Sequence, residues 1–568
     1  MKKVISLILC ISLMMSLVAV SAFAAKEDVD LSFAVASDLH YNLPDEELEW
    51  FSEDPIFGYA NRRAAMENES GLIIDEMLRQ VAENDNMDFL LISGDLADNG
   101  RSTIEEHYAV AEKLKKFEEE SGKQVYVIPG NHDYGNLGEY CVTDAAKFRE
   151  IYADFGYDQA ITENGLSYTA DLGDKYRLIA LDSNDPDKST EDGMTTAKVN
   201  WVILQARQAY EDGRYPILMM HHNLLDHLPV QRVLSHDFII RNHTTTANKW
   251  ADAGIKLVFT GHEHCSDATT HTSPSGNTIS DFATTSLTMY PLQYRYVQMT
   301  EDTIYYSTKT VDKIDTDTLR EWVPDYTDAQ IDAMNQGLNA FAKEYLKNGV
   351  EWRLERGFLD EQLGIKPGDI YYDLVRGVVD AFNDVLNMPL YGEGSVQELA
   401  KQYNIDIPDS DYKDGWDVAT ELVAAHYAGS EDYPLYEKDI KILFLVMSVV
   451  IKEEFAYLDD QVIFSAAAAI LAANGNPNMD TLLGLVTDET EGVTAGEYLL
   501  VAIASPLLDS FANDDGVDDN RGEIDGYGNT DRMGNMADNF VDTALTIGDK
   551  LYTLLRYLVK ILNIWMAE

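Results

Sequence analysis

The chain has 568 residues and a formal net charge of −55. With 45% hydrophobic and 25% charged residues it has the composition of a folded globular protein, too long for one ordinary core. So acidic a surface repels nucleic acid and anionic lipid, which argues against nucleic-acid binding; a small phosphorylated substrate stays open, because bound metal ions reverse the local field.

In chain order, residues 1–24 read as a signal peptide. Lys2 and Lys3 open it, 4–20 is almost wholly apolar, and Ala22-Phe23-Ala24 has the small-x-small spacing of a cleavage site. The expected location is secreted or in a bacterial cell envelope, with no stable membrane insertion once the segment is removed. The competing reading is an uncleaved anchor, since the run approaches the length of a short span. Of the three cysteines, Cys10 leaves with this segment. Cys141 and Cys265 remain, either as one bridge or as two free thiols.

Residues 31–36, 88–92, 124–128, 176–181, 216–220 and 256–259 are short, apolar and partly β-branched, as buried strands are. Helical patterns lie between them. The clearest runs over 102–121, with capping-box spacing at Ser102 and Glu105 and a left-handed stop at Gly122. Strand and helix in alternation indicate an α/β layered domain, assigned to 25–315. Residues 316–568 are acidic and mainly helical, with helix-spaced apolar residues over 371–387, 437–457 and 549–565. Within them, 443–451 is apolar throughout, far too short to cross a membrane, and reads as a buried helix.

Five strand ends carry groups able to hold a metal: Asp38-Leu39-His40, Gly94-Asp95-Leu96-Ala97-Asp98, Gly130-Asn131-His132-Asp133, His221-His222, and Gly261-His262-Glu263-His264. Ligands of α/β sheets bind beyond the carboxyl ends of the strands, and carboxylate, imidazole and amide oxygen together suit Mn, Fe or Zn. Each motif alone is background; their joint order is the signal. The glycines at 94, 130 and 261 are expected to let the backbone turn sharply.

In these motifs the sequence resembles the calcineurin-like metallophosphoesterase superfamily, over residues 31 to about 310. The resemblance implies a layered sandwich of two mixed sheets flanked by helices, closed by a strand pair over 284–297. It implies two transition-metal ions, with Asp38, His40 and His264 on the first, Asn131, His221 and His262 on the second, and Asp95 bridging. His132 would stabilise the transition state or protonate the leaving group, with Asp98 and Asp133 as orienting partners. A metal-bridging hydroxide would then attack phosphorus directly, making the chain a hydrolase of phosphomonoesters or phosphodiesters; no nucleophile elbow or convincing cysteine nucleophile competes. A cell-envelope binding protein with a vestigial catalytic half is the alternative, disfavoured because all seven ligands are present. Substrate identity and oligomeric state do not follow from the sequence.

There are departures. Asn223 stands where the family often has proline, leaving His221 and His222 both open, with His221 favoured because it directly follows its strand. Asp98 replaces the metal-binding tyrosine of purple acid phosphatases. Arg62, Arg63, Arg101 and Arg295 are each either a phosphate clamp or a structural residue. The Asp-, Asn- and Gly-rich segment 513–531 is either a solvated loop or a calcium loop, and it lacks the regular ligand order of the latter. The last helix, 549–565, is expected to pack on its own domain.

Overall fold

The computed structural model describes residues 29–357, 367–430 and 518–529, apart from 46, 60–63, 137–140, 189, 228–230, 232–236, 403–405 and most of 369–382; four residues of 442–449 are also described. The signal segment, Arg62, Arg63, the helix read over 549–565 and most of that over 437–457 lie outside them.

Thirteen strands form two mixed sheets among the described residues. In the first, β1 (Leu31–Ala36), β2 (Phe89–Ile92) and β3 (Gln124–Val127) run parallel, and β11 (Gln293–Met299) and β12 (Thr303–Thr310) continue antiparallel beyond β1. β13 (Arg521–Asp525) closes that edge against β12, with Ile304 opposite Ile524. The second sheet runs β4 (Thr162–Asn164), β5 (Ser167–Leu172), β6 (Tyr176–Leu181), β7 (Tyr215–Met220), β8 (Leu257–Thr260), β10 (Thr278–Ala283), β9 (Asp267–Thr272). β6, β7, β8 and β10 are mutually parallel. The parallel strands read as continuous apolar runs because both faces are covered. Phe33 of β1 meets Phe259 of β8 edge-on at 5.6 Å, and the Tyr168 hydroxyl donates to the Val127 carbonyl, so the core lies between the sheets.

Helices Ser70–Glu83, Ile104–Ser121, Thr196–Glu211 and His243–Asp252 follow β1, β2, β6 and β7. The second starts two residues later than its sequence suggests, and no capping box forms. The Ser102 hydroxyl donates instead to the Asn99 carbonyl, and Thr103 takes the cap position without a side-chain bond. Gly122 ends it at φ 72°, as expected. The closing strand pair is β11 and β12; Thr284 to Leu287 form a loop before it.

The core does not end with β12. Leu319, Ile331, Leu338, Phe341 and Tyr345, on helices Thr316–Trp322, Asp328–Gln336 and Leu338–Gly357, and Val323 just after the first of them belong to the same buried cluster as Phe33. Further along, Leu386, Val396, Trp416, Leu445 and Val446 form a second cluster; Leu445 and Val446 come from the apolar run read as a buried helix. A small third cluster brings Ala424 and Leu346 against Met289 and Ala65. Among the described residues, no helix is long and apolar enough to cross a membrane. Cys141 and Cys265 form no bridge with one another.

Candidate metal centre

The carboxyl ends of β1, β2, β3, β7 and β8 converge, and the strand-end residues meet there. Asp38, His40 and His264 lie together, as do Asp95, His221 and His262, and His40, Asp95 and His132, each set offering ligand atoms within 4.8 Å of one another. Asp95 belongs to two of these sets. The His264 Nε2 is 3.1 Å from the His40 Nε2 and 3.2 Å from Asp38 Oδ1. The His221 Nε2 lies 3.3 Å from Asp95 Oδ2 and 3.0 Å from Asn131 Oδ1. Asp38, His40, Asp95, Asn131, His221 and His262 are buried, while His132 and His264 are half-buried.

The backbone is strained to achieve this. Asp38, His40, Asp95, His262 and His264 all have φ between 41° and 69°, a left-handed region that side chains enter at a cost. The glycines serve a different purpose from the one expected for two of the three. Gly94 does take φ 108°. Gly130 does not turn left-handed; a Cβ there would sit 2.1 Å from Asp95 Oδ1. Gly261 is alike, with a Cβ 2.2 Å from Asp38 Oδ2. These two are glycine so that backbone can approach a carboxylate.

Hydrogen bonds set which nitrogen each imidazole presents. His221 Nδ1 donates to the Ser93 carbonyl at 2.9 Å, leaving the Nε2 lone pair facing Asp95 and Asn131. His40 Nδ1 meets Asp98 Oδ1 at 3.0 Å, which turns its Nε2 inward. The adjacent His222 has both nitrogens engaged, by Ser183 Oγ and the Thr190 carbonyl, so of the pair only His221 faces the centre. The backbone N–H of His132 donates to Asp95 Oδ1 (2.8 Å), and its Nδ1 to the Asp98 carbonyl (2.7 Å). Asp133 contacts neither; it accepts from Ala97 N and Gly130 N, and so clamps the loops after β2 and β3 together.

The electrostatics favour a positive guest. Burial opposes ionisation of Asp95, yet His221, His132 and His40 outweigh it and hold the carboxyl well below its ordinary range. Asp38 is likewise lowered, against burial, by His264 and His221. Burial acts against the His221 cation too, but Asp95 and Asp38 push it up to about 9. Asp133 is pushed up to about 8, by burial and then by Asp95. The buried His262 Nε2 has no hydrogen-bond partner at all. An orphaned imidazole nitrogen beside shared carboxylates fits metal ions: a metal takes the lone pairs and replaces the protons.

Several groups at the site carry no sequence motif. Asp281 of β10 accepts from Leu224 N and Leu225 N and from the Thr260 hydroxyl, tying the loop after β7 to the end of β8. Asn223 donates to Thr260 Oγ1 and the Gly261 carbonyl, which accounts for an amide where a proline was expected. Ser93, directly before Gly94, could have been found from its place in the motif; Ser183 and Thr190 could not. Arg295 is a core residue, not a clamp: its guanidinium donates to the carbonyls of Asp519, Asp267 and Ala283. The described part of 513–531 is no calcium loop. Asp519 accepts from Ala268 N, and Asn520 donates to the Ala428 and Gly429 carbonyls.

Two mixed sheets flanked by helices, with carboxylates and imidazoles at their carboxyl ends, define a metallophosphoesterase fold. The sequence model of the calcineurin-like phosphoesterase family matches residues 31–266, the stretch holding all seven ligand candidates. The chain is 24% identical over 287 residues to a Bacillus subtilis (strain 168) protein described as uncharacterized metallophosphoesterase YhaO, covering 48% of this chain and 67% of that protein. It is similar in structure to a dimetal phosphatase from Danio rerio (TM-score 0.36, 11% identity, 50% of this chain and 97% of that one). A 5'-nucleotidase from Candida albicans SC5314 is also similar (TM-score 0.29, 13% identity, 56% of this chain and 59% of that one).

Proposed function

We propose that this protein is a secreted phosphoesterase, hydrolysing phosphomonoesters or phosphodiesters at a two-metal centre of Mn, Fe or Zn. Asp38, His40 and His264 hold one ion, Asn131, His221 and His262 the other, and Asp95 bridges. The observation that carries this reading is that Asp95 lies in one ligand set with His221 and His262 and, through its Oδ2 at 3.7 Å from His40 Nε2, beside the set of Asp38, His40 and His264. When bound, the metal pair supplies charge neutralisation at the phosphoryl oxygens and acidifies water. The chain's own residues do the rest. Asp98 and Ser93 fix the tautomers of His40 and His221. His132, with Nδ1–H committed to the Asp98 carbonyl, has Nε2 left to carry a proton to the leaving group. The apolar run and Ala-x-Ala spacing at the N-terminus support export.

The test is elemental analysis of the purified protein together with a panel of mono- and diesters assayed with Mn, Fe, Zn and Ca added separately. Two transition-metal ions per chain and chelator-sensitive hydrolysis are expected. No bound metal, and no hydrolysis after reconstitution, would overturn the reading.

A further inference from the structure

Glu106 belongs to none of the five motifs, yet it is a carboxylate only 1% exposed, on helix Ile104–Ser121. Burial pushes its carboxyl up to about 7, and the neighbouring Asp98, of like charge, adds to the rise. Such a group is costly to keep unless hydrogen bonds hold it. Helix capping is the ordinary use for it. Thr103 is the cap residue and Glu106 stands three residues on, the spacing at which a glutamate reaches back to the N–H of the cap residue. Here it does not. Thr103 N donates to the Asn99 carbonyl, and Glu106 reaches past it. Its Oε2 accepts from Asn99 N at 2.6 Å and its Oε1 from Asn99 Nδ2 at 3.3 Å, while a main-chain bond from Leu43 also helps to hold the carboxylate.

The N–H that Glu106 holds belongs to the peptide group joining Asp98 to Asn99. The carbonyl of that same group accepts from His132 Nδ1 at 2.7 Å. A peptide group is planar and trans, so holding its N–H aims its carbonyl the opposite way. Glu106 and His132 therefore grip the two ends of one peptide. Asn99 Nδ2 steadies the side chain as well, donating to Asp98 Oδ2 at 3.3 Å while Asp98 Oδ1 faces His40 Nδ1.

We propose that Glu106 is a positioning residue for the reaction: through the Asp98–Asn99 peptide it fixes the imidazole of His132 so that its Nε2 can serve the leaving group. This rests on the phosphoesterase reading above. The carboxylate suits the task because a charged acceptor makes about twice as strong a hydrogen bond as a neutral one.

The test uses the zinc-loaded full chain and two esters, phenyl phosphate and 4-nitrophenyl phosphate, or the corresponding diesters if only those are turned over. Nitrophenolate departs without a proton and phenolate needs one. Glu106→Ala should lower kcat on the phenyl ester about 10–100-fold, the scale of an outer partner, and on the nitrophenyl ester by much less. KM and metal content should stay as in wild type. Glu106→Gln keeps an oxygen for Asn99 N and should show the same pattern with a smaller loss. If the alanine variant does not fold, the glutamine variant decides, and wild-type rates on both esters overturn the proposal. A residue that merely caps the helix would lower the melting temperature without changing the ratio of the two esters. That outcome, equal losses on both, or loss of metal would each overturn it. If wild type hydrolyses no ester, the phosphoesterase reading falls separately. Nitrogen NMR of the zinc-loaded chain labelled at histidine then decides Glu106, with His132→Gln identifying the signal. A His132 ring protonated at Nδ1 in wild type and mixed in tautomer in the Glu106 variant supports the proposal; unchanged signals overturn it.

Discussion

The motif loops and the helical half handle backbone and charge in opposite ways. Five of the eight described non-glycine residues with positive φ are Asp38, His40, Asp95, His262 and His264; none lies beyond Leu292. Around these five, carboxylates and imidazoles are crowded at 3–4 Å and pull one another away from their ordinary pKa values. In the helical half the charges are paired conventionally: Lys347 with Asp417 at 2.5 Å, and Lys343 with Glu421. Helix starts there are capped, as by the Thr327–Gln330 capping box and by Asp315, Ser395 and Asp414. The lesson is that left-handed backbone strain is concentrated where a ligand can relieve it, at roughly 1–3 kcal/mol for each such residue.

The comparison is broken most directly at Asp95. Asp95→Ala should lose metal and activity together, by well over the roughly 10–100-fold typical of an outer partner. His132→Ala should keep both metals while losing about 10²- to 10⁴-fold in rate. Metal analysis alongside turnover separates the two, and loss of metal from His132→Ala would show that its role is misassigned.

The next effect lies at the seam between the regions. Arg295→Met leaves the carbonyls of Asp519, Asp267 and Ala283 without their donor. Leaving these buried carbonyls unpaired should cost roughly 1–3 kcal/mol each, read as a lower melting temperature with metal content retained. An unchanged melting temperature would mean that residues 518–529 do not brace the sheet.

A smaller effect is pH-dependent. His107 is held neutral, with burial pushing it down to about 4, and is bonded to the Tyr152 hydroxyl and the Asp133 carbonyl. An unfolded histidine takes up its proton near pH 6.5, the folded one only near 4. Its contribution is therefore complete above pH 6.5 and shrinks as the pH falls towards 4, by about 3 kcal/mol in all. The acid limb of metal-free His107→Gln should be shallower by that amount in denaturant titrations; equal limbs would refute the assignment. The smallest change belongs to the helical half. Lys343→Met removes a partly exposed ion pair and should alter stability by less than about 1 kcal/mol. A larger loss in thermal unfolding would show that this pairing couples to the core.

The amino-acid sequence by itself named the residues that meet at the candidate centre. Asp38, Asp95, Asn131, His221 and His262 each lie within four residues of the end of an apolar strand, which gathers them at one edge of each sheet; that the two edges meet is the work of sheet packing. The limits of 102–121 and the choice of His221 over His222 needed hydrogen-bond partners that the motifs do not contain: Asn99, Ser183 and Thr190. Only the tertiary structure decided where the fold ends. β13 lies more than 200 residues beyond β12 in sequence, is five residues long and alternates exposed with half-buried positions. Nothing local marks it as the edge of the first sheet, because pairing between distant strands is chosen by the complementarity of surfaces, and that exists only once the rest has folded.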